Sequence, residues 1–114
     1  MEISLNGFNE SIATFEAEEG VTAGMPVKIT GNGKVGKCGK SDNFCGIAVN
    51  VRDEFAAVQL GGYVRLPYAE STPPKIGYQG IGCADDTKIE AEENGRIILI
   101  TDIDTVDKTC GMIL

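Results

Sequence analysis

Apolar and polar residues alternate through most of this chain, and the alternation has the two-residue period of a β-strand rather than the period of a helix. The clearest block runs from Gly46 to Pro67. Ile47, Val49 and Val51 alternate with Ala48, Asn50 and Arg52, and Asp53-Glu54 makes a tight connection. Ala56, Val58 and Leu60 then alternate with Ala57 and Gln59; after Gly61-Gly62, Val64 and Leu66 alternate with Tyr63 and Arg65. Connections this short predict three antiparallel neighbours. Each would have one apolar face, as in a sheet with one side in water.

The same signal recurs on both sides of the block. Pro26 to Thr30 is a short alternating strand, Gly31-Asn32-Gly33 supplies left-handed turn residues, and Lys34 to Cys38 returns. Three glycines interrupt the strand-like stretch from Lys75 to Cys83, which marks bending or close backbone approach. Lys88-Ile89-Glu90 is a short strand between turns. Arg96 to Ile100 is apolar on both faces, so it is expected to be the most buried strand or to meet a further layer. Asp102 to Lys108 forms a hairpin end, and Thr109 to Leu114 pairs back.

Residues 1–20 differ. Ile3, Leu5, Phe8, Ile12 and Phe15 are spread among polar and acidic residues with no clean period. This segment reads as an extended arm or a weak edge strand. Its aromatic residues argue against complete disorder, because they normally bury against something. The expected fold is therefore all-β: a small antiparallel β-barrel or β-sandwich over residues 21–114, with an extended N-terminal arm over residues 1–20. A small barrel of short strands is favoured because closure removes exposed sheet edges.

The 114 residues are one domain's worth of chain, and 15 of them are glycine, about twice the usual share. The formal net charge is −7, with 17 acidic and 10 basic residues. Binding to a nucleic acid needs a positive footprint, which this balance lacks. An anionic membrane surface is disfavoured for the same reason. The apolar runs are too short to span a bilayer, and the N-terminus has neither the basic nor the apolar region of a signal peptide.

Histidine is absent, which removes the commonest general base and the commonest metal ligand. Ser-His and Cys-His nucleophile pairs are thereby excluded. Cys38, Cys45, Cys83 and Cys110 contain no C-x-x-C pair, so neither a zinc ribbon nor a thioredoxin-like site is indicated. Cys110 alternates with Met112 and Leu114, and Cys83 follows Ile81 at the same period. These thiols read as small buried hydrophobes, with disulfides as the alternative.

The remaining candidates are weak as sites. Asp102, Asp104 and Asp107 supply hard oxygen ligands for a divalent cation, but the spacing departs from that of an EF-hand, and solvated turn acids explain them as well. Gly31 to Lys34 and Gly36 to Lys40 combine glycine with lysine but lack the spacing and helix of a phosphate loop. Tyr63, Tyr68 and Tyr78 are candidates for a stacking platform, against the commoner reading of cross-strand packing. No catalytic residue, cofactor or metal site is assigned, and the chain is read as a non-enzyme.

The block from Cys45 to Tyr68 resembles small structural proteins from the head modules of tailed phages and prophages of Gram-positive hosts. These are head decoration, capsid cement or head-fibre proteins. Val21 to Ile29, the closing hydrophobic strand, the acidic hairpin and the Leu114 terminus follow the same order; the resemblance covers about residues 20–114. The four cysteines are not part of the shared pattern. The resemblance implies a small β-barrel on the outside of the capsid, often a trimer at local three-fold positions. Its partners would be the major capsid protein and further copies of itself, with no nucleic acid and no membrane. It would be made in the bacterial cytoplasm and end on the virion surface. No enzymatic site comes with this family.

On that reading the arm would grip the shell or a neighbouring subunit, by strand addition or by apolar anchors. The candidate partner-binding residues are Ile3, Leu5, Phe8, Ile12 and Phe15. The alternative is a small β-barrel binding or carrier module of biotinyl or lipoyl type. It would need a modified lysine at a hairpin tip, at Lys34, Lys37 or Lys108, and the flanking residues of such a site are missing.

Overall fold

The computed structural model describes residues 11–114, which form ten strands joined by turns and loops. β1 (Ser11–Ala17), β2 (Pro26–Gly31), β3 (Lys34–Lys37), β4 (Gly46–Arg52) and β5 (Phe55–Gly61) close a barrel in the order β1-β3-β2-β4-β5. β6 (Tyr63–Pro67), β7 (Gly77–Cys83), β8 (Ile89–Ala91), β9 (Arg96–Asp104) and β10 (Thr109–Ile113) form a second, antiparallel sheet in the order β6-β10-β9-β7-β8. The fold is all-β, as the alternation implies.

The turns follow local chemistry. Asn32-Gly33 links β2 to β3, with Gly33 in the left-handed region at φ 65°. Asp53 takes φ 55° in the two-residue turn between β4 and β5. Asp is among the few non-glycine residues that visit this region readily. At the start of β4, a side chain on Gly46 would run into the Gln59 carbonyl of β5, so the barrel wall closes there only over glycine.

Each module has its own core. Val27, Val35, Ala48, Ala56 and Val58 fill the barrel. The second core lies between the inner face of the second sheet and the chain around the β3–β4 connection. Leu66, Ile81, Ile98, Ile100 and Met112 meet Cys38, Phe44 and Ile47 there. Cys38, Cys83 and Cys110 are buried, Cys45 is half-buried, and all four are free thiols.

The structure corrects three expectations. Residues 11–17 are not an arm: β1 lies between β5, which it pairs antiparallel from Ser11↔Gly61 to Glu16↔Phe55, and β3, which it pairs parallel at Glu16↔Lys34. Its apolar positions lack a clean period partly because the register with β5 slips between Ser11 and Ile12. Ile3, Leu5 and Phe8 lie outside the described residues.

The second correction concerns β6. It does not pair with β5; it leaves the barrel at Gly62, where φ is 85°, and pairs with β10 at the edge of the other sheet. The glycine pair is a transfer point between sheets rather than a hairpin turn.

The third concerns β9. Ile98 and Ile100 are buried, but Ile97 on the opposite face is 65% exposed. No further layer of the described chain covers that face.

Candidate functional site

Cross-strand register assembles the outer face of the second sheet. Tyr63 on β6 stands opposite Ile113 on β10, Ile113 opposite Leu99 on β9, and Leu99 opposite Tyr78 on β7. Paired residues share one face of a sheet, so the four side chains form a row across four strands. Ile97 lies two residues from Leu99 on the same face, and Ile76 precedes β7 by one residue. Tyr78 is 78% exposed and Ile76 64% exposed. A monomer commonly exposes single apolar side chains; a contiguous cross-strand patch is the informative case.

One end of the row is fixed by polar contacts. The Tyr63 hydroxyl donates to Asp102 Oδ1 at 3.0 Å and accepts from Arg65 Nη1 at 3.1 Å. Arg65 also makes an ion pair with Asp102 and donates from Nε to Thr109 Oγ1 at 3.1 Å. Gly111 makes room for this arrangement, because a side chain there would collide with the Tyr63 hydroxyl and with Asp102 Oδ1. Burial pushes the Tyr63 phenol up, and its bond to the Asp102 carboxylate pushes it further. Burial also raises Asp102, but the bonds from Arg65, Thr101 and Tyr63 outweigh it and hold the carboxyl below the ordinary range. The network thus holds Tyr63 as a neutral phenol against Asp102 and leaves the other end of the row apolar.

Elsewhere, charged groups are occupied by one another. A cleft of about 540 Å³ is lined by Lys40, Tyr68, Glu70, Asp85, Lys88 and Lys108, among others. Lys40 is paired with Glu90 and Lys108 approaches Glu70 at 3.8 Å. Asp85 accepts from the backbone of Thr87 and Lys88, both at 2.8 Å, and these bonds lower its pKa. Asp104 likewise caps its own turn, accepting from Val106 N at 2.9 Å and Asp107 N at 3.0 Å. Of the acidic triplet in the sequence, Asp102 therefore serves the Tyr63 network and Asp104 the hairpin. Among the described residues no group of three or more Asp, Glu or Cys residues has the arrangement of a metal site. The tyrosines do not form one platform: Tyr68 is buried, while Tyr63 and Tyr78 stand at opposite ends of the exposed row.

Of the candidate partner-binding residues within the described chain, Ile12 is exposed on β1 and Phe15 packs against the barrel core. The sequence analysis missed the row itself. Its members are far apart in the chain and become neighbours only through pairing of β6, β10, β9 and β7. The one available signal was the two-faced apolar pattern of Arg96 to Ile100. No family model matches this chain, and no curated protein is significantly similar to it.

Proposed function

We propose that this protein is a non-catalytic structural component of a phage or prophage head, binding the outside of the capsid and stabilising the shell. The observation that carries the reading is the uncovered apolar row Tyr63–Ile113–Leu99–Tyr78, extended by Ile97, on an otherwise acidic chain. Burying one such side chain contributes about 1.5–3 kcal/mol, so a few of them offset much of the cost of association. The sequence resemblance supplies the partner: the major capsid protein, with further copies of this chain as neighbours, in the trimer that such proteins often form. A net charge of −7 disfavours adventitious adhesion to the packaged DNA. A protein that binds only the assembled shell stabilises that state by mass action.

The test is co-expression with the major capsid protein encoded in the same gene cluster. The reading predicts that this protein sediments with the assembled shells. Shells that form and sediment without it would refute the proposal. The carrier-module alternative predicts an adduct on Lys34, Lys37 or Lys108, visible in the intact mass.

A further inference from the structure

Two of the four cysteines are brought together by parts of the chain that belong to different modules. Cys38 follows β3 at the start of the connection to β4, and Cys83 ends β7 in the second sheet. The connection is latched to the end of β7 by two backbone bonds: Ser41 N donates to Cys83 O at 2.8 Å, and Cys83 N donates to Asp42 O at 2.9 Å. Inside this latch the Cys38 and Cys83 thiols are hydrogen-bonded to each other, and both are buried in the same core. Lys28 Nζ stands beside them, 2.7 Å from Asp42 Oδ2, and Gly39 N donates to the same carboxylate oxygen at 2.7 Å. The other two thiols are placed differently. Cys110 sits in the apolar interior, where burial pushes it up to about 12, and Cys45 is half-buried and raised by burial.

We propose that Cys38 and Cys83 form an oxidisable dithiol, which a peroxide converts into a disulfide tying the barrel's β3–β4 connection to the second sheet. The two thiols have distinct roles. The hydrogen bond from Cys83 favours the Cys38 thiolate, as does the nearby Lys28 ammonium, whereas Cys83 is held protonated by the same bond and by burial. Cys38 is therefore the nucleophile. It also adjoins the exposed stretch Gly39–Ser41, so a local opening of that loop admits a small oxidant.

In the first step the Cys38 thiolate attacks one oxygen of hydrogen peroxide. The O–O bond breaks, the departing hydroxide takes up a proton to become water, and Cys38 becomes a sulfenic acid. In the second step the Cys83 sulfur attacks the Cys38 sulfur. The S–S bond forms, the S–O bond breaks, and the leaving hydroxyl departs as a second water with the Cys83 proton. The two thiols are oxidised by two electrons in all, and the peroxide is reduced to two waters. The bridge closes a long loop through the barrel and the sheet, the arrangement in which a cross-link restrains the unfolded chain most. The proposal concerns the chain alone and does not depend on capsid binding.

The experiment uses the full chain, reduced, freed of reductant and treated with hydrogen peroxide under native conditions. It is then denatured, alkylated and mapped by mass spectrometry. The number of alkylated thiols is expected to fall from four to two, with the Cys38 and Cys83 peptides joined. The melting temperature should rise by roughly 10 °C and fall back on reduction. Cys45→Ser should still lose two thiols, and Cys38→Ser should lose none. A bridge between any other pair, a bridge between two chains, Cys38 driven to sulfinic acid without a bridge, or four thiols left free would each overturn the proposal. Mapping of the unmodified chain decides the question even if a variant fails to fold.

Discussion

Lys40 Nζ lies 2.5 Å from Glu90 Oε2, and the two ends of this ion pair are in different surroundings: the lysine side chain is 68% exposed and the glutamate side chain 3% exposed. Glu90 belongs to β8, at the edge of the second sheet, and Lys40 to the connection leaving the barrel. The second Glu90 oxygen accepts from Thr72 Oγ1 at 2.7 Å. The pair is therefore one of the few charged links between the two modules. Removing the cation leaves a buried carboxylate with only the Thr72 bond. Because Lys40 is largely in water, its contribution is screened, and Lys40→Ala should cost about 1 kcal/mol. Urea denaturation at neutral pH measures this, with an unchanged slope if the denatured state is unaffected.

Acid should weaken the fold in a defined window. The Lys40 ammonium and the Thr72 hydroxyl hold Glu90 below the ordinary range against the opposing effect of burial. Asp85, bonded by the backbone of its own turn, and Asp102, bonded by Arg65, are also lowered. For each, the folded-state pKa is below the unfolded value. The stabilisation is thus complete above the unfolded carboxylate values of about 4 and is lost as pH falls through the folded ones. The melting temperature should stay nearly level from about pH 7 to pH 5 and drop steeply below about pH 4. Glu90→Gln, which has no carboxyl to titrate, should make that drop shallower; an identical acid limb would show that Glu90 is not one of its sources.

β1 should prove structural. Phe15 stands opposite Ala56 and packs against the barrel core, so Phe15→Ala should cost about 2–3 kcal/mol, less than a fully buried phenylalanine because its site is only partly enclosed. Deleting the chain through Ala17 removes the strand between β3 and β5 and opens the barrel, and the cooperative melt followed by circular dichroism should be lost. A truncated chain that melts like the full one would restore the reading of residues 11–17 as an arm.

That reading failed for a physical reason. The strands β4, β5 and β6 were legible because Ile47, Val58 and Leu66 each sit in an unbroken alternation, which records one face in a core and the other outside it. Ile12 and Phe15 sit across a register slip, so the alternation that would have identified β1 is broken where it begins. The partner of β6 was hidden because Gly61-Gly62 is consistent both with a turn that reverses the chain and with a bend that sends it into a second sheet. Only the burial of Val64 and Leu66 against the Cys110 and Met112 strand decides between them. The exposed row was less legible still. Tyr63, Tyr78, Leu99 and Ile113 carry no local sign of being neighbours, and their proximity follows from a topology that alternation alone does not determine.

The row also provides the sharpest separation between folding and function. Tyr78 and Ile97 are among the most exposed apolar residues of the described chain, and neither belongs to either core. Replacing both with serine removes little that folding buries, so the stability of Tyr78→Ser/Ile97→Ser should stay within about 0.5 kcal/mol of the parent. If this face docks on the capsid, the same change removes two side chains that become buried on binding. At 1.4 kcal/mol per factor of ten, a loss of about 1.5 kcal/mol or more from each predicts at least a hundredfold weaker association. Co-sedimentation with shells over a range of concentrations measures the affinity, and thermal melting of the same samples measures the stability. Unchanged melting with lost sedimentation would assign the face to the partner. Unchanged affinity would mean that the capsid is gripped elsewhere, with Ile12 on β1 the next residue to test. A large fall in melting temperature would mean that these side chains are buried in the free protein.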